Sequence, residues 1–268
     1  NEKVITMNQE ARLDDLIEYL LEENPDARQS LGSYDTSTFD GKIELFQGLC
    51  NIRPPKKADN QFREIHDAFL KEWNFNRKLV SLEDLEPVRQ QMYLWQGDIT
   101  SLQVDAIVNA ANSRLLGCTL PNHTCIDNII HTRAGIELRL ACHNIIEEQG
   151  HPEPVGQAKI TPGFNLPASY VIHTVGPYID QEGVTPEKEE LLASSYRSCL
   201  QTADEHKLES IAFCCISTGE FNFPNERAAE IAIKTVEDYF NDSGTDIHVI
   251  FNVFKDVDLH IYEALLEN

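Results

Sequence analysis

The sequence predicts a three-layer α/β/α domain with a mixed sheet, preceded by a helical extension. Strand-like and helix-like segments alternate beyond about residue 91, helical spacing dominates before it, and turn signals fall at the junctions. The expected division is residues 1–90 for the extension and 91–268 for the α/β domain. A chain of 268 residues has room for one large or two modest domains.

In the extension, Leu13, Leu16, Ile17, Leu20 and Leu21 share one helical face, with Asn8 placed to cap it and Asn24-Pro25 to end it. A turn-rich stretch over 32–41 and the Pro54-Pro55 break follow. Phe62, Ile65, Phe69 and Trp73 form a second apolar stripe, and Ser81 to Asp84 reads as a capping box. The α/β region then offers strands at 92–96, 106–109, 169–175, 210–216 and 246–254. Helical spacing occupies 125–149, 187–206, 225–241 and 258–266. In such open sheets ligands bind where strands end and loops converge.

Charge narrows the partners. The formal net charge is −22, whereas a nucleic-acid binder must neutralise phosphates with clustered cations. The richest basic patch, Arg53-Pro-Pro-Lys56-Lys57, reads as a loop, so no nucleic-acid partner is expected. An anionic ligand would have to be held by backbone N–H groups and helix N-termini. No apolar run is long enough for a membrane span, and 1–10 shows no secretory signal. Seven cysteines without a regular framework fit a reduced, cytoplasmic protein. Cys50, Cys199, Cys214 and Cys215 read as small core side chains.

Chemistry collects in a few loops. After a strand, Gln96-Gly-Asp-Ile-Thr100 offers Asp98, which suits either a helix cap or an acceptor for an exocyclic amine such as that of adenine. Val108-Asn-Ala-Ala-Asn112 combines amides with little bulk, suiting either a polyhydroxylated ligand or an Asn-rich turn. Ile216-Ser-Thr-Gly-Glu-Phe-Asn-Phe-Pro224 runs from strand to helix, where Ser217, Thr218 and Gly219 can present successive N–H groups to a diphosphate.

Taken in order, Gly97 to Thr100, Val108 to Asn112, Lys159-Ile-Thr-Pro-Gly-Phe-Asn-Leu-Pro167, Tyr170-Val-Ile-His-Thr-Val-Gly-Pro177 and Ser217 to Pro224 resemble the segments of macrodomains. The resemblance runs from about residue 94 to 262 and implies an ADP-ribose cleft. By that resemblance Asp98 and Ile99 contact adenine, Asn112 holds the distal ribose, and Ser217, Thr218, Gly219 and Glu220 line the diphosphate. Phe221 packs near the distal ribose, and Phe254 is the matching candidate to stack on adenine. Glu220 and Asn222 depart from the usual pattern, which has an apolar residue and a Gly there.

A larger departure follows Asn112. The chain reads Leu116-Gly-Cys-Thr-Leu-Pro-Asn-His-Thr-Cys-Ile-Asp-Asn-Ile-Ile-His131 where many hydrolytic macrodomains are Gly-rich. This resembles the zinc-dependent, bacterial-type branch described as protein-ADP-ribose hydrolases. Independently, two thiolates and an imidazole within eight residues suit Zn²⁺, and three protein ligands leave a fourth position open. The expected metal ligands are Cys118, His123 and Cys125, and the expected catalytic pair is Asn112 and Asp127. Asp127 fits a general base, a residue orienting a zinc ligand, or a helix-start carboxylate. His131 and His173 read as structural. The implied activity is metal-assisted removal of mono-ADP-ribose from a modified protein side chain, an ester-linked Asp or Glu. The alternatives are a non-enzymatic reader of ADP-ribosylated proteins and a deacetylase of O-acetyl-ADP-ribose.

Overall fold

The computed structural model describes residues 2–267. The N-terminal helices are α1 (Glu2–Thr6), α2 (Gln9–Glu23), α3 (Ala27–Leu31), α4 (Phe39–Ile52) and α5 (Asn60–Phe75). Asn8 caps α2 by accepting from the Ala11 N–H at 2.8 Å, and Asp59 caps α5 in the same way through Phe62. Leu13, Leu16 and Leu20 of α2 close over Leu45, Phe46 and Leu49 of α4 and over Phe62, Ile65 and Phe69 of α5. The extension thus has its own apolar core. The turn-rich 32–41 stretch and the Pro break flank a helix, α4, whose apolar spacing is interrupted by Gly41 and Gly48.

The remaining chain contains β1 (Val80–Ser81), β2 (Met92–Gln96), β3 (Leu102–Gln103), β4 (Ala106–Ala110), α6 (Ile126–Ala134), α7 (Ile136–Gln149), β5 (Ala158–Pro162), β6 (Tyr170–Thr174), α8 (Pro186–Glu205), β7 (Ser210–Phe213), α9 (Asn225–Ser243), β8 (His248–Val253) and α10 (Asp256–Leu266). The main sheet has the order β2-β8-β7-β4-β6-β5. All its pairs are parallel except β5 with β6. One face carries α6 on β4 and α7 on β5; the other carries α8 on β5 and β6, α10 on β2 and β8, and α9 between α8 and α10. This is the predicted mixed sheet between helical layers. β1 pairs with β3, and Val80, Leu82 and Leu85 join the sheet's core. The two cores therefore divide between Leu70 and Val80, ahead of the expected position at residue 90. No helix among the described residues is long and apolar enough to cross a membrane.

The helical spacing of 125–149 resolves into two helices. Gly135 sits between them at φ +109°, where an added Cβ would lie 2.5 Å from the His66 ring. Only glycine suits that corner without strain.

Ile136 of α7 packs on the extension's core, and buried polar groups also join the extension to the α/β domain. Asn51, near the end of α4 and 2% exposed, donates to Thr132 Oγ1 at 3.2 Å and accepts from the Asn122 N–H at 2.9 Å. Asn122 in turn donates from Nδ2 to Tyr34 Oη at 2.9 Å and to the Glu44 carbonyl at 3.1 Å. Arg53, counted with the basic patch, is buried and forks onto Glu23 at 2.8 and 3.0 Å. Removing one partner of a buried hydrogen bond costs about 1–3 kcal/mol. Asn51→Ala is therefore expected to destabilise the protein by about that amount, read as a lower urea midpoint. An unchanged midpoint would show that the joint carries no load.

Candidate active site and metal cluster

The site residues arise where parallel strands end. β2 leads to Asp98, β4 to Asn112, β6 to Gly176, β7 to Ser217 and β8 to Phe254, all at the carboxyl edge of one sheet. Asn252 donates to the Gly97 carbonyl at 3.0 Å, which binds the β2 and β8 ends together. Asp98 performs its capping role, with Oδ1 accepting from the Thr100 N–H at 2.9 Å and from its hydroxyl at 2.7 Å. Oδ2 faces Arg77 at 3.5 Å, and the side chain stays partly exposed. Ile99 is buried, whereas Phe254 is 73% exposed beside this edge, an unusual position for a large apolar ring. Arg77 escaped the sequence reading because it lies at the end of the extension, far from the loop it meets.

The β7 loop holds two residues in an unusual backbone conformation. Ser217 adopts φ +68° and Asn222 φ +62°, both in the left-handed region. The loop is held by Phe223 N–H on the Ser217 carbonyl at 2.9 Å and Asn222 N–H on that of Gly219 at 3.1 Å. Gly176 comes so close that a Cβ there would lie 2.1 Å from Ser217 Oγ. Among the described residues no protein acceptor meets the N–H groups of Gly219, Glu220 and Phe221. Thr218 turns its hydroxyl to the Cys215 carbonyl at 3.0 Å. Successive free N–H groups in a turn form a nest for anionic oxygens. Phe221 stands edge-on to Tyr178, with ring centroids 5.9 Å apart.

Asn112 shapes its own loop, donating to the Gly117 carbonyl at 3.1 Å and accepting from the Arg114 N–H at 3.1 Å. The loop then delivers Cys118, His123 and Cys125, whose ligand atoms all lie within 4.8 Å of one another. Zn–S bonds of about 2.3 Å and Zn–N bonds of about 2.0 Å at a tetrahedral angle hold S and N about 3.5 Å apart. Cys118 Sγ lies 3.6 Å from His123 Nδ1, so the donors present suit such an ion. Burial pushes the Cys125 thiol up to about 12, and the neighbouring Cys118 sulfur adds to this. Its thiolate therefore requires a positive partner. Cys125 also caps α6, its Sγ accepting from the Asn128 N–H at 3.4 Å. Among the described residues the cluster has three members and is half-exposed. On the far side of the imidazole, His123 Nε2 lies 3.0 Å from Glu220 Oε1 of the β7 loop.

Asp127 is buried in the first turn of α6, its Oδ1 accepting from Asn109 Nδ2 at 2.8 Å. Burial raises its carboxyl to about 6, against the lowering effect of Asn109 and Arg139. A second group, His131, Cys142 and His173, also has ligand atoms within 4.8 Å. Here His173 spends Nδ1 on Asn109 at 3.2 Å and Nε2 on Thr161 at 3.0 Å. That imidazole has no lone pair left for a cation, whereas both ring nitrogens of His131 are buried without a hydrogen-bond partner.

Burial lowers His173 to about 3 and holds His131 well below its ordinary value. Both imidazoles are neutral in the folded state but bind protons in the unfolded chain below about pH 6.5. Asp127 acts in the opposite sense, since its folded value lies above its unfolded one. Two groups outweigh one, so stability is expected to fall as pH drops from about 6.5 toward 4. The check is the urea midpoint across that range with chelator present; a midpoint that stays level or rises on acidification would contradict it.

The comparisons with known proteins follow this geometry. The Macro domain model matches residues 108–232. A protein-ADP-ribose hydrolase of Staphylococcus aureus (strain MSSA476) is 51% identical over 228 residues, covering 85% of each chain. A protein-ADP-ribose hydrolase of Treponema medium is 48% identical over 264 residues, covering 97% of this chain and 100% of its own. Among solved structures, a Trypanosoma brucei macrodomain in complex with ADP-ribose superposes with a TM-score of 0.64 at 28% identity, covering 88% of this chain and 97% of that one. A mutant Oceanobacillus iheyensis macrodomain with ADPR gives 0.61 at 37% identity, covering 68% of this chain and 96% of that one.

Proposed function

This chain belongs to the macrodomain family, and from that premise we propose that it is a protein-ADP-ribose hydrolase assisted by Zn²⁺ on Cys118, His123 and Cys125. The observation that carries the reading is the junction of two loops: the three-donor cluster touches the anion nest through His123 and Glu220 at 3.0 Å. A cluster that serves only as a fold staple would be closed by a fourth protein ligand, whereas catalytic sites keep one position open.

In this reading the chain's own groups divide the work. The free N–H groups of Gly219, Glu220 and Phe221 receive the diphosphate. Asp98 offers Oδ2 to the adenine amine, Ile99 lends a backbone contact, and the exposed ring of Phe254 supplies a face for stacking. Asn112 orients the distal ribose, with its own loop holding the amide in place. Cys118, His123 and Cys125 hold the metal, which when bound supplies Lewis-acid polarisation at the ribose C1″ linkage or a more acidic water. Asp127 lies two residues beyond Cys125 in the first turn of α6, held by Asn109, and in this reading serves as the general base. The acceptor in this reading is an ester-linked Asp or Glu of the modified protein. Backbone binding of this kind also explains how a chain of charge −22 holds a dianion.

The test is release of ADP-ribose from a mono-ADP-ribosylated acceptor. Chelation and Cys118→Ala should each lower the rate at least about 100-fold, as loss of a principal source of charge stabilisation does. Full turnover after both treatments would remove the metal from the reaction. For Asn112→Ala the expectation is a loss of about 10- to 100-fold in kcat/KM from misplaced ribose. Wild-type kinetics in that variant would take Asn112 out of the mechanism.

A further inference from the structure

Glu220 occupies a place where the sequence pattern favours an apolar side chain, and a carboxylate beside a diphosphate would repel it. The structure removes that conflict by turning the side chain away from the nest. Glu220 stands in the turn closed by Asn222 N–H on the Gly219 carbonyl. Its backbone N–H remains free for an anion, while Oε1 reaches His123 Nε2 at 3.0 Å. The two nitrogens of His123 therefore face opposite partners: Nδ1 faces Cys118 Sγ at 3.6 Å, and Nε2 faces the carboxylate.

From this juxtaposition we propose that Glu220 is a positioning residue, which holds the His123 ring and its tautomer for the metal and links the metal loop to the anion-binding loop. An imidazole donates one lone pair to a cation only if the other nitrogen carries the proton. A carboxylate that accepts this Nε2–H selects the tautomer with Nδ1 free and makes that nitrogen the stronger donor. The same side chain belongs to a loop whose N–H groups meet the diphosphate. A shift of that loop on binding is thereby passed to His123, and each site must alter the affinity of the other by an equal factor. The departure at Glu220 and the departure at 118–125 then form one device.

This inference rests on the reading of Cys118, His123 and Cys125 as a metal site, and the experiment separates the two. Zn²⁺ affinity is measured by competition with a chromogenic chelator for wild type, Glu220→Gln and Glu220→Ala, alongside the visible spectrum of the Co²⁺-loaded proteins. ADP-ribose affinity is then measured with and without Zn²⁺. Glu220 is 70% exposed, so both variants should retain the wild-type circular dichroism and urea midpoint when chelated. Glu220→Ala is expected to hold Zn²⁺ about 10- to 100-fold more weakly, the usual effect of losing an outer partner of a ligating His. Glu220→Gln, which keeps an acceptor oxygen, should fall between. The Co²⁺ band should shift in both, and the dependence of ADP-ribose affinity on Zn²⁺ should be smaller in Glu220→Ala than in wild type. If wild type binds Zn²⁺ and Glu220→Ala matches it in affinity and spectrum, the inference fails while the metal site stands. If wild type binds no Zn²⁺, both fail.

Discussion

One buried guanidinium holds the extension, the 113–125 loop and the sheet-side helices in a single arrangement. Arg139 of α7 donates to the carbonyls of Cys50 at 3.2 Å, Asn51 at 2.8 Å and Arg53 at 2.6 Å, where α4 ends. The same side chain reaches back to the Leu116 carbonyl at 2.7 Å and that of Cys118 at 3.5 Å. The last carbonyls of a helix have no partners within it and carry partial negative charge. Burying that end of α4 requires a donor, and a fork with five N–H groups meets the need. The extension is thus a wall against which the 113–125 loop is set, and Cys118, His123 and Cys125 inherit their positions from it.

The anion site depends on backbone in a strained shape. Ser217 is in the left-handed region, with its hydroxyl buried and unpartnered against Gly176. Such a conformation costs about 1–3 kcal/mol and persists only where surrounding contacts force it. The returning hydrogen bond from Phe223, itself fully buried, supplies that force. What the loop leaves is three N–H groups, those of Gly219, Glu220 and Phe221, with no protein acceptor among the described residues. Dipoles of this kind can attract an anion without a neutralising side chain.

Much of the fold was legible because its signals are local. The apolar faces of α2 and α5, the strand-helix alternation and the caps at Asn8 and Ser81 all act over a few residues. The division of 125–149 at Gly135 and the helix α4 were not, because Gly135 lies inside an apolar spacing that continues across it and Gly48 interrupts the stripe of Leu45, Phe46 and Leu49. At the site, residue types marked Cys118, His123 and Cys125, since thiolates and imidazole near one another have a recognisable chemistry. Arg139, Asn51 and Arg77 carry no such mark. Each looks like an ordinary polar residue on a helix or at its end, and only the meeting of segments up to 89 residues apart reveals its task.

Among the described residues two groups of His and Cys bring their ligand atoms within 4.8 Å of one another, and burial sets the two apart. In the buried group, Asn109 and Thr161 already occupy both nitrogens of His173, and burial keeps Cys142 a thiol. A cation there would have to displace hydrogen bonds and bring its charge into the core, where no water can follow. In the half-exposed group, His123 has one nitrogen on the sulfur side and the other on a carboxylate, and Cys125 is held at a helix start. A charge placed among those donors meets thiolates that need it and solvent that screens it. The same residue types, buried in the core, become packing; at the carboxyl edge of the sheet they stand half-exposed with His123 against Glu220 of the β7 loop.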